Sequence, residues 1–225
     1  MGRTLRPLKN ERMKIAIIAG ALLKKEMEDR LDPSGQGITW VWASEIEELD
    51  LHGDADLIID LDFTLEEERV GKLSRFLPAA VMVNSVVHTT REIGRPFIRI
   101  NAWPGSLTRN VHELVAPDED AARMIAKLYE QLNWQYRIVP DIPGMISGRI
   151  LAAIINEAYY TLQEKISTRE EIDTAMRLGT NYPLGPFEWS ERIGRANIYQ
   201  LLAVLSEEDS RYIPSLALTQ SLKKD

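Results

Sequence analysis

The stretch DIPGMISGRILAAIINEAYYTLQEKISTREEIDTAMRLGTNYPLGPFEWSERIG, from Asp141 to Gly194, decides the fold of the last third of the chain. Its apolar residues recur at steps of three and four over Ile150–Leu162, which predicts one long helix with a broad buried face. Ser167 followed by Glu170 fits a capping box and predicts the start of a second helix. That helix is predicted to end at Leu178-Gly179, because the following YPLGP turn is too rigid to continue it. We therefore expect a helical hairpin followed by a fixed turn.

Residue identities in this stretch are more informative than its periodicity. The segments Asn156–Ala158 (NEA), Glu171–Met176 (EIDTAM) and Tyr182–Glu188 (YPLGPFE), the last one preceded by Gly179, resemble the C-terminal domain of the 3-hydroxyacyl-CoA dehydrogenase family. The likeness continues more loosely to Ile198. What the resemblance implies is a two-domain, NAD-dependent enzyme of fatty-acid or hydroxybutyryl-CoA metabolism. It also implies a small-molecule acyl-CoA substrate and a homodimer formed through the C-terminal domain.

Composition limits the class of protein and of partner. A net charge of −7 argues against nucleic-acid binding, which needs a basic face to neutralise phosphates. No apolar run approaches the roughly 18 residues that span a bilayer, and no secretory signal is present, so we expect no membrane partner and a cytoplasmic location. The absence of cysteine excludes disulfides, thiolate nucleophiles and zinc–cysteine sites, and the sequence indicates no metal site.

Apolar, β-prone runs alternate with helical stretches in the first part of the chain. Strands are predicted at Lys14–Ala19, Ile38–Ala43, Ala55–Leu61, Ala80–Val87, Pro96–Ala102 and Gln135–Val139, with helices at Ala21–Arg30, Thr64–Phe76 and, after an N-cap at Asp118, up to Asn133. This alternation indicates a mostly parallel sheet. Between the first strand and Ala55 there is room for little more than one βα unit. The predicted fold class is therefore α/β, with a compressed Rossmann-like parallel-sheet domain followed by an all-α C-terminal domain of the 3-hydroxyacyl-CoA dehydrogenase type.

Domain boundaries follow from these segments. Residues 1–12 are expected to be a leader, residues 13–140 the Rossmann-like domain and residues 141–225 the helical domain for dimerisation and substrate binding. The tail, residues 206–225, is polar and is expected to end loosely.

The turn after the first strand is the expected place for a dinucleotide. In such folds a G-x-G-x-x-G turn lets the pyrophosphate approach the N-terminus of the next helix. Here the turn reads Ala19-Gly20-Ala21-Leu22-Leu23-Lys24, with alanines at the first two glycine positions and a lysine at the third. Gly20 is the candidate for NAD binding, although the pattern as a whole argues against the cofactor. Lys24 could offer charge to a phosphate or simply belong to a solvated helix face.

An acidic residue after the second strand is the expected ribose ligand in a dinucleotide fold. Glu45 stands at that position and is the candidate. Ser44 as a helix N-cap with Glu47 three residues later would explain the same segment without a ligand.

The catalytic pair of the family is the next position to be matched. Oxidation of a 3-hydroxyacyl thioester needs a base for the hydroxyl proton, and a histidine oriented by a carboxylate suits that task. The resemblance implies that this pair lies in a strand-to-helix segment, which here is Asn101–Val115. Glu113 falls on the family's glutamate, but Asn101 stands at the histidine. An amide can hydrogen-bond a substrate oxygen, yet it cannot act as a base.

Other positions that the resemblance implies are partly retained. Asn84 is kept and is a candidate cofactor ligand, whereas Val86 replaces a substrate-binding serine. Gly148 replaces an asparagine, and the following Arg149 remains as a candidate substrate ligand.

Three histidines could replace the missing base. His88 follows the fourth strand, on the side where ligands bind in open α/β sheets, and is the candidate. His112 is adjacent to Glu113 in sequence, and neighbours on a helix do not face one another. His52 is expected in an exposed loop.

Three hypotheses follow from different classes of protein. The chain is a divergent NAD-dependent dehydrogenase that uses His88 or water, or a non-catalytic descendant that binds acyl-CoA or another small ligand, or a structural homodimer with a vestigial cleft. The residue substitutions favour impaired or absent dehydrogenase chemistry.

Overall fold

The computed structural model describes residues 13–31 and 37–223. The chain divides into two compact units, one up to Ile142 and one from Pro143 onward. The expected leader, residues 1–12, lies outside the described residues.

The first unit contains a seven-stranded sheet. Its strands are β1 (Met13–Ile18), β2 (Ile38–Ala43), β3 (Leu57–Asp60), β4 (Ala80–Asn84), β5 (Ile98–Ile100), β6 (Val111–Val115) and β7 (Gln135–Ile138). The order in space is β2-β1-β3-β4-β5-β6-β7, and every neighbouring pair is parallel except the antiparallel β5 and β6. One α-helix, β2 and a 3-10 helix lie between β1 and β3 along the chain, so the compressed Rossmann-like fold that the sequence predicts is confirmed.

Helices cover both faces of this sheet. They are α1 (Ala21–Glu28), α2 (Glu67–Ser74), α3 (Thr90–Ile93) and α4 (Glu119–Gln131), and a 3-10 helix spans Ile46–His52. Helices α1 and α4 pack on the face that includes Ile15 and Ile17, whereas α2, α3 and the 3-10 helix pack on the face that includes Ala16 and Ile18. β1 is therefore buried on both faces, which is the reason for its continuous apolar sequence.

Two local predictions in this unit are wrong. Ser44 does not cap a helix through its side chain. Its backbone N–H instead donates to the Glu48 carboxylate, and the 3-10 helix begins after Glu45. The segment after Asn101 does not lead into a helix but into β6, where residues alternate between the two faces of the sheet.

The second unit is all-helical. Its helices are α5 (Ser147–Gln163), α6 (Arg169–Thr180), α7 (Pro186–Ile193), α8 (Arg195–Ser206) and α9 (Leu216–Ser221), with a 3-10 helix at Ser210–Tyr212. Over the described residues, no helix has the length and apolar content that a membrane crossing requires.

The helical hairpin of the second unit forms as the sequence predicts, with shifted ends. The capping box of α6 uses Thr168 and Glu171 rather than Ser167 and Glu170, and the Ser167 hydroxyl donates to Glu171. The helix continues past Gly179 and ends before Asn181, which adopts a left-handed conformation.

The end of the chain is more ordered than the sequence indicates. Ser215 caps α9 by accepting a hydrogen bond from the Leu218 backbone N–H. The side chains of Leu205, Tyr212 and Leu218 are buried. The expected loose tail is therefore wrong over the described residues, because spaced apolar side chains fix it to the helical core.

Candidate functional site

The carboxyl ends of β1, β2 and β3 form the candidate ligand-binding edge of the sheet. Ligands bind at the point where successive strands leave to opposite sides, which here lies between β1 and β3. Ile18 at the end of β1 pairs with Ala43 of β2 and with Asp60 of β3. Gly20, Glu45 and Asp62 each follow this row by two residues, so they belong to one edge of the sheet.

Gly20 forms the turn between β1 and α1. It is exposed and extended, with φ −63° and ψ 162°, and its carbonyl accepts the first backbone hydrogen bond of the helix, from Lys24. A Cβ atom added to Gly20 would lie 3.5 Å and 3.6 Å from the two carboxylate oxygens of Asp62. The open side of the glycine turn therefore faces a negative charge.

Asp60 and Arg69 form a buried ion pair below this turn. The Asp60 carboxylate is fully buried, and both of its oxygens accept hydrogen bonds of 2.7 Å from the Arg69 guanidinium. Burial raises the pKa of Asp60, and the Arg69 hydrogen bonds oppose that rise. Asp60 also accepts the backbone N–H of Asp62. The Arg69 guanidinium therefore directs both of these hydrogen bonds at Asp60.

The residues at this edge do not fit the pyrophosphate of a dinucleotide. The fit needs a glycine turn open to an anion at the helix N-terminus. Here the Asp62 carboxylate faces Gly20, and alanines stand on both sides of that glycine. Glu45 is exposed at the end of β2 and caps no helix with its side chain, so its predicted role as a ribose ligand stays a prediction.

Asn84 uses its amide group inside the first unit. Its nitrogen donates to the carbonyls of Leu61 and Ala102, at 3.0 and 3.4 Å, and its oxygen accepts the Ala102 backbone N–H at 3.0 Å. The side chain thereby joins the ends of β3, β4 and β5. A role in binding NAD stays a prediction, and the contacts themselves support a structural role.

Asn101 and Glu113 are neighbours, as the resemblance implies for a catalytic pair. The Asn101 backbone N–H donates to the Glu113 carbonyl at 3.1 Å. The Asn101 side chain is buried, and its amide oxygen accepts the Trp103 backbone N–H at 3.3 Å. Asn101 is therefore a buried amide that orders the following loop, and its match to the family's histidine stays a prediction.

His112 lies on the opposite face of β6 from Glu113. Its ring is buried between Tyr129 and Trp134, and its two nitrogens contact the Tyr129 hydroxyl at 2.9 Å and the Leu107 carbonyl at 3.0 Å. Burial lowers the pKa of His112 to about 4. The sequence argument against His112 assumed a helix and was wrong in its geometry, but a strand separates the two side chains as well.

His88 lies in the loop between β4 and α3. Its carbonyl accepts a hydrogen bond from the Ser85 hydroxyl, and its ring lies within electrostatic range of the Glu92 carboxylate. Glu92 belongs to the capping box of α3, where it accepts from the backbone and the hydroxyl of Thr89. The use of His88 as a base stays a prediction.

Arg149 lies in the first turn of α5, in the second unit. One guanidinium nitrogen donates to the Pro143 carbonyl at 3.4 Å, and the group lies 5.6 Å from the ring centre of Tyr212. Its buried Nε has no hydrogen-bond partner among the described residues. Arg149 is half-buried, and its role in substrate binding stays a prediction.

Sequence reasoning did not assign a role to three side chains that shape the first unit. Asp62 faces Gly20, the Glu26 carboxylate accepts the Gly105 backbone N–H, and the fully buried Arg99 pairs with Asp141 and donates to the Ser85 carbonyl. For Asp62 and Arg99, the available signal was a charged residue within or directly after an apolar run. The partners could not be read from the sequence, because each contact joins distant segments.

A Rossmann-like sheet unit followed along the chain by an all-helical unit defines the fold class of this protein. The sequence model of the 3-hydroxyacyl-CoA dehydrogenase C-terminal domain matches residues 144–225. The chain is 37% identical over 130 residues to a 3-hydroxyadipyl-CoA dehydrogenase of Escherichia coli K12, and 32% identical over 184 residues to a 3-hydroxybutyryl-CoA dehydrogenase of Bradyrhizobium diazoefficiens. Residues 144–225 therefore match the C-terminal domain of the 3-hydroxyacyl-CoA dehydrogenase family, and a larger part of the chain is similar to members of that family.

The extent of these matches differs. The alignments cover 57% and 75% of this chain, and they span 27% and 63% of the length of those two relatives. Among solved structures, (S)-3-hydroxybutyryl-CoA dehydrogenase PaaH1 from Ralstonia eutropha is similar with a TM-score of 0.71, 18% identity and coverage of 95% of this chain and 94% of that one. FadB2 of M. tuberculosis is similar with a TM-score of 0.72, 17% identity and coverage of 96% and 95%. At these identities the solved structures support the fold alone.

Proposed function

We propose that this chain is a 3-hydroxyacyl-CoA dehydrogenase homologue that binds an acyl-CoA thioester without oxidising or reducing it. The observation that carries the proposal is Asn101, a buried amide that lies next to Glu113 at the position of the family's histidine. The acyl-CoA ligand is inferred from the relatives, which are named for 3-hydroxyadipyl-CoA and 3-hydroxybutyryl-CoA. The composition fits a cytoplasmic location for such a protein.

The chemistry of Asn101 supports binding rather than turnover. Dehydrogenation requires a group that accepts the hydroxyl proton while the hydride leaves for NAD, which is the acceptor that the resemblance implies. An amide hydrogen-bonds a carbonyl or hydroxyl oxygen but does not take up a proton near neutral pH. The proton-transfer step therefore has no acceptor in Asn101.

Calorimetric titration with acetoacetyl-CoA tests the proposal, together with NADH absorbance on the same sample. We expect saturable binding of the thioester and no NADH consumption above the rate without protein. Arg149→Ala should weaken binding at least about tenfold if Arg149 contacts the ligand, because a lost charge-assisted contact is worth on the order of 1.5–3 kcal/mol. Arg75→Ala is the matched control, since Arg75 is an exposed arginine at the end of α2.

The other outcomes separate the competing hypotheses. NADH consumption that depends on the protein contradicts the proposal and supports a dehydrogenase in which His88 or water replaces the base. The absence of acetoacetyl-CoA binding up to millimolar ligand contradicts it as well, and the structural homodimer is then favoured. The exposed side chains of Ile146 and Ile150, one turn apart at the start of α5, favour this second candidate.

A further inference from the structure

We propose that Asp62 excludes dinucleotides from this chain by placing a carboxylate where the cofactor's pyrophosphate would lie. The inference concerns the first unit alone and does not depend on acyl-CoA binding by the protein. It assigns the exclusion to one charge rather than to the altered glycine pattern.

The position of Asp62 follows from the register of the sheet. Ile18 of β1 pairs with Asp60 of β3, and Gly20 and Asp62 each follow their strand partner by two residues. The two Asp62 oxygens lie 3.5 and 3.6 Å from the place of a Cβ on Gly20, so the whole carboxylate group is directed at the glycine. In dinucleotide folds the pyrophosphate approaches the backbone of this turn at the second glycine position, which here is Ala21, directly after Gly20.

The N-terminus of helix α1 lies at the same place and affects the electrostatics there. A helix N-terminus carries a partial positive charge, which is what makes it attractive to phosphate. Gly20 is the N-cap of α1, and the Asp62 carboxylate lies beside it. An anion of the protein's own therefore lies beside this helix end, and a second, more highly charged anion at the same place is repelled.

Among the described residues, Arg69 lies within electrostatic range of Asp62, but its positive charge is already balanced by Asp60. Arg69 gives two hydrogen bonds to the buried Asp60. Lys24, at the third glycine position of the family pattern, lies 5.2 Å from the ring centre of Trp42 and 4.0 Å from a Glu28 oxygen. Neither side chain is directed at the space above Gly20 by these contacts.

The altered glycine pattern offers a different explanation, which predicts a different result. Ala19 and Ala21 carry methyl groups that could block the phosphate by their volume. Removing the Asp62 charge leaves those methyl groups in place. If the methyl groups are the barrier, an isosteric neutral residue at position 62 changes nothing.

The test is NADH binding to the full chain, followed by the fluorescence of the nicotinamide at low ionic strength. We expect the natural protein to bind with a dissociation constant in the millimolar range or weaker. Asp62→Asn should lower that constant at least about tenfold, and the gain should shrink as salt is added, because salt screens exposed charges. Glu66→Gln is the matched control, since it removes the same charge at the start of α2 and should leave NADH binding unchanged.

Three results would overturn the proposal. One is NADH binding by the natural protein at tens of micromolar. Another is a folded Asp62→Asn variant that binds no better than the natural protein, and the third is an equal gain from Glu66→Gln. Circular dichroism establishes that the variants are folded, and Asp62→Ser serves in place of Asp62→Asn if the latter does not fold. Since none of these measurements uses a thioester, failure here is separate from failure of acyl-CoA binding.

Discussion

Asn101 shows how one residue changes the chemistry of a site while the surrounding geometry is kept. The backbone contact between Asn101 and Glu113 places the two residues side by side, as a catalytic pair requires. The amide at position 101 also receives the Trp103 backbone N–H, so it orders the loop that follows β5. The backbone contact between the two residues is thus observed, and the loss of a proton acceptor at position 101 stays a prediction from the family resemblance.

His112 illustrates the opposite case, a titratable group whose surroundings explain it without catalysis. Both ring nitrogens are bonded within the core, and two aromatic rings pack edge-on against it. Burial lowers its pKa to about 4, so the neutral ring is the form that the fold accommodates. This side chain should therefore make the stability of the protein sensitive to acid.

We expect the free energy of unfolding to fall as the pH is lowered from about 6.5 towards 4, because the unfolded histidine, with a pKa of about 6.5, takes up its proton first. Between about pH 7.5 and pH 5, His112 should account for a loss of about 2 kcal/mol. Urea unfolding at the two pH values measures this loss. In His112→Gln the difference between the two pH values should be smaller by about that amount.

His52→Gln is the control for this experiment, since it removes a histidine at the end of the 3-10 helix and leaves His112 in place. An equal pH dependence in the natural protein and in His112→Gln would show that His112 is not held neutral by the fold.

At the scale of the elements, the junction of α6 and α7 depends on a very close contact between two residues. Asp173 of α6 accepts the Phe187 backbone N–H at 2.8 Å, while the Gly185 backbone N–H donates to Glu188. A Cβ on Gly185 would lie 2.3 Å from the Asp173 carboxylate carbon, a distance that no packing allows. The glycine in the YPLGPFE motif is therefore required by the approach of the Asp173 side chain.

Gly185→Ala should lower the free energy of unfolding by about 3 kcal/mol, because Asp173 must move and the start of α7 loses its acceptor. Chemical denaturation followed by circular dichroism measures the change. Gly179→Ala is the matched control: a Cβ there meets nothing within 4 Å, and alanine is the better helix former by about 1 kcal/mol. Equal effects of the two substitutions would contradict the role of the Asp173 contact.

The elements themselves were largely predictable because local sequence determines them. Apolar runs predicted β1 to β4, and apolar residues at steps of three and four predicted α5. Their ends were less predictable. The capping residue of α6 lies one position later than expected because Ser167 and Thr168 both have a side-chain oxygen, and only the backbone geometry selects Thr168. Strand β6 was missed because its sequence, VHELV, is short and half polar.

At the scale of the whole molecule, the fold followed from the sequence, and the candidate ligand site followed only in part. The short stretch between β1 and β3 indicated a compressed sheet domain, and the structure confirms it. The contact between Asp62 and Gly20 could not be predicted, since it depends on the register between β1 and β3. Family resemblance indicates which positions matter, and the three-dimensional contacts then decide what each substitution does there.

A homodimer is the last prediction that concerns the whole molecule, and the exposed isoleucines of the second unit are its candidate surface. Ile150 on α5 is 55% exposed, and Ile146, one helical turn earlier, is 50% exposed. Two neighbouring isoleucines in contact with solvent indicate a surface that a partner covers. Size-exclusion chromatography with light scattering should show a dimer for the natural protein. Ile150→Asp should weaken that dimer at least about a hundredfold, because burying an aspartate without a partner costs on the order of 3 kcal/mol.

Leu51→Asp, at a leucine that is 79% exposed in the first unit, should leave the dimer intact. A natural protein that is monomeric at every concentration would contradict the homodimer, and a dimer that persists in Ile150→Asp would place its interface elsewhere on the molecule.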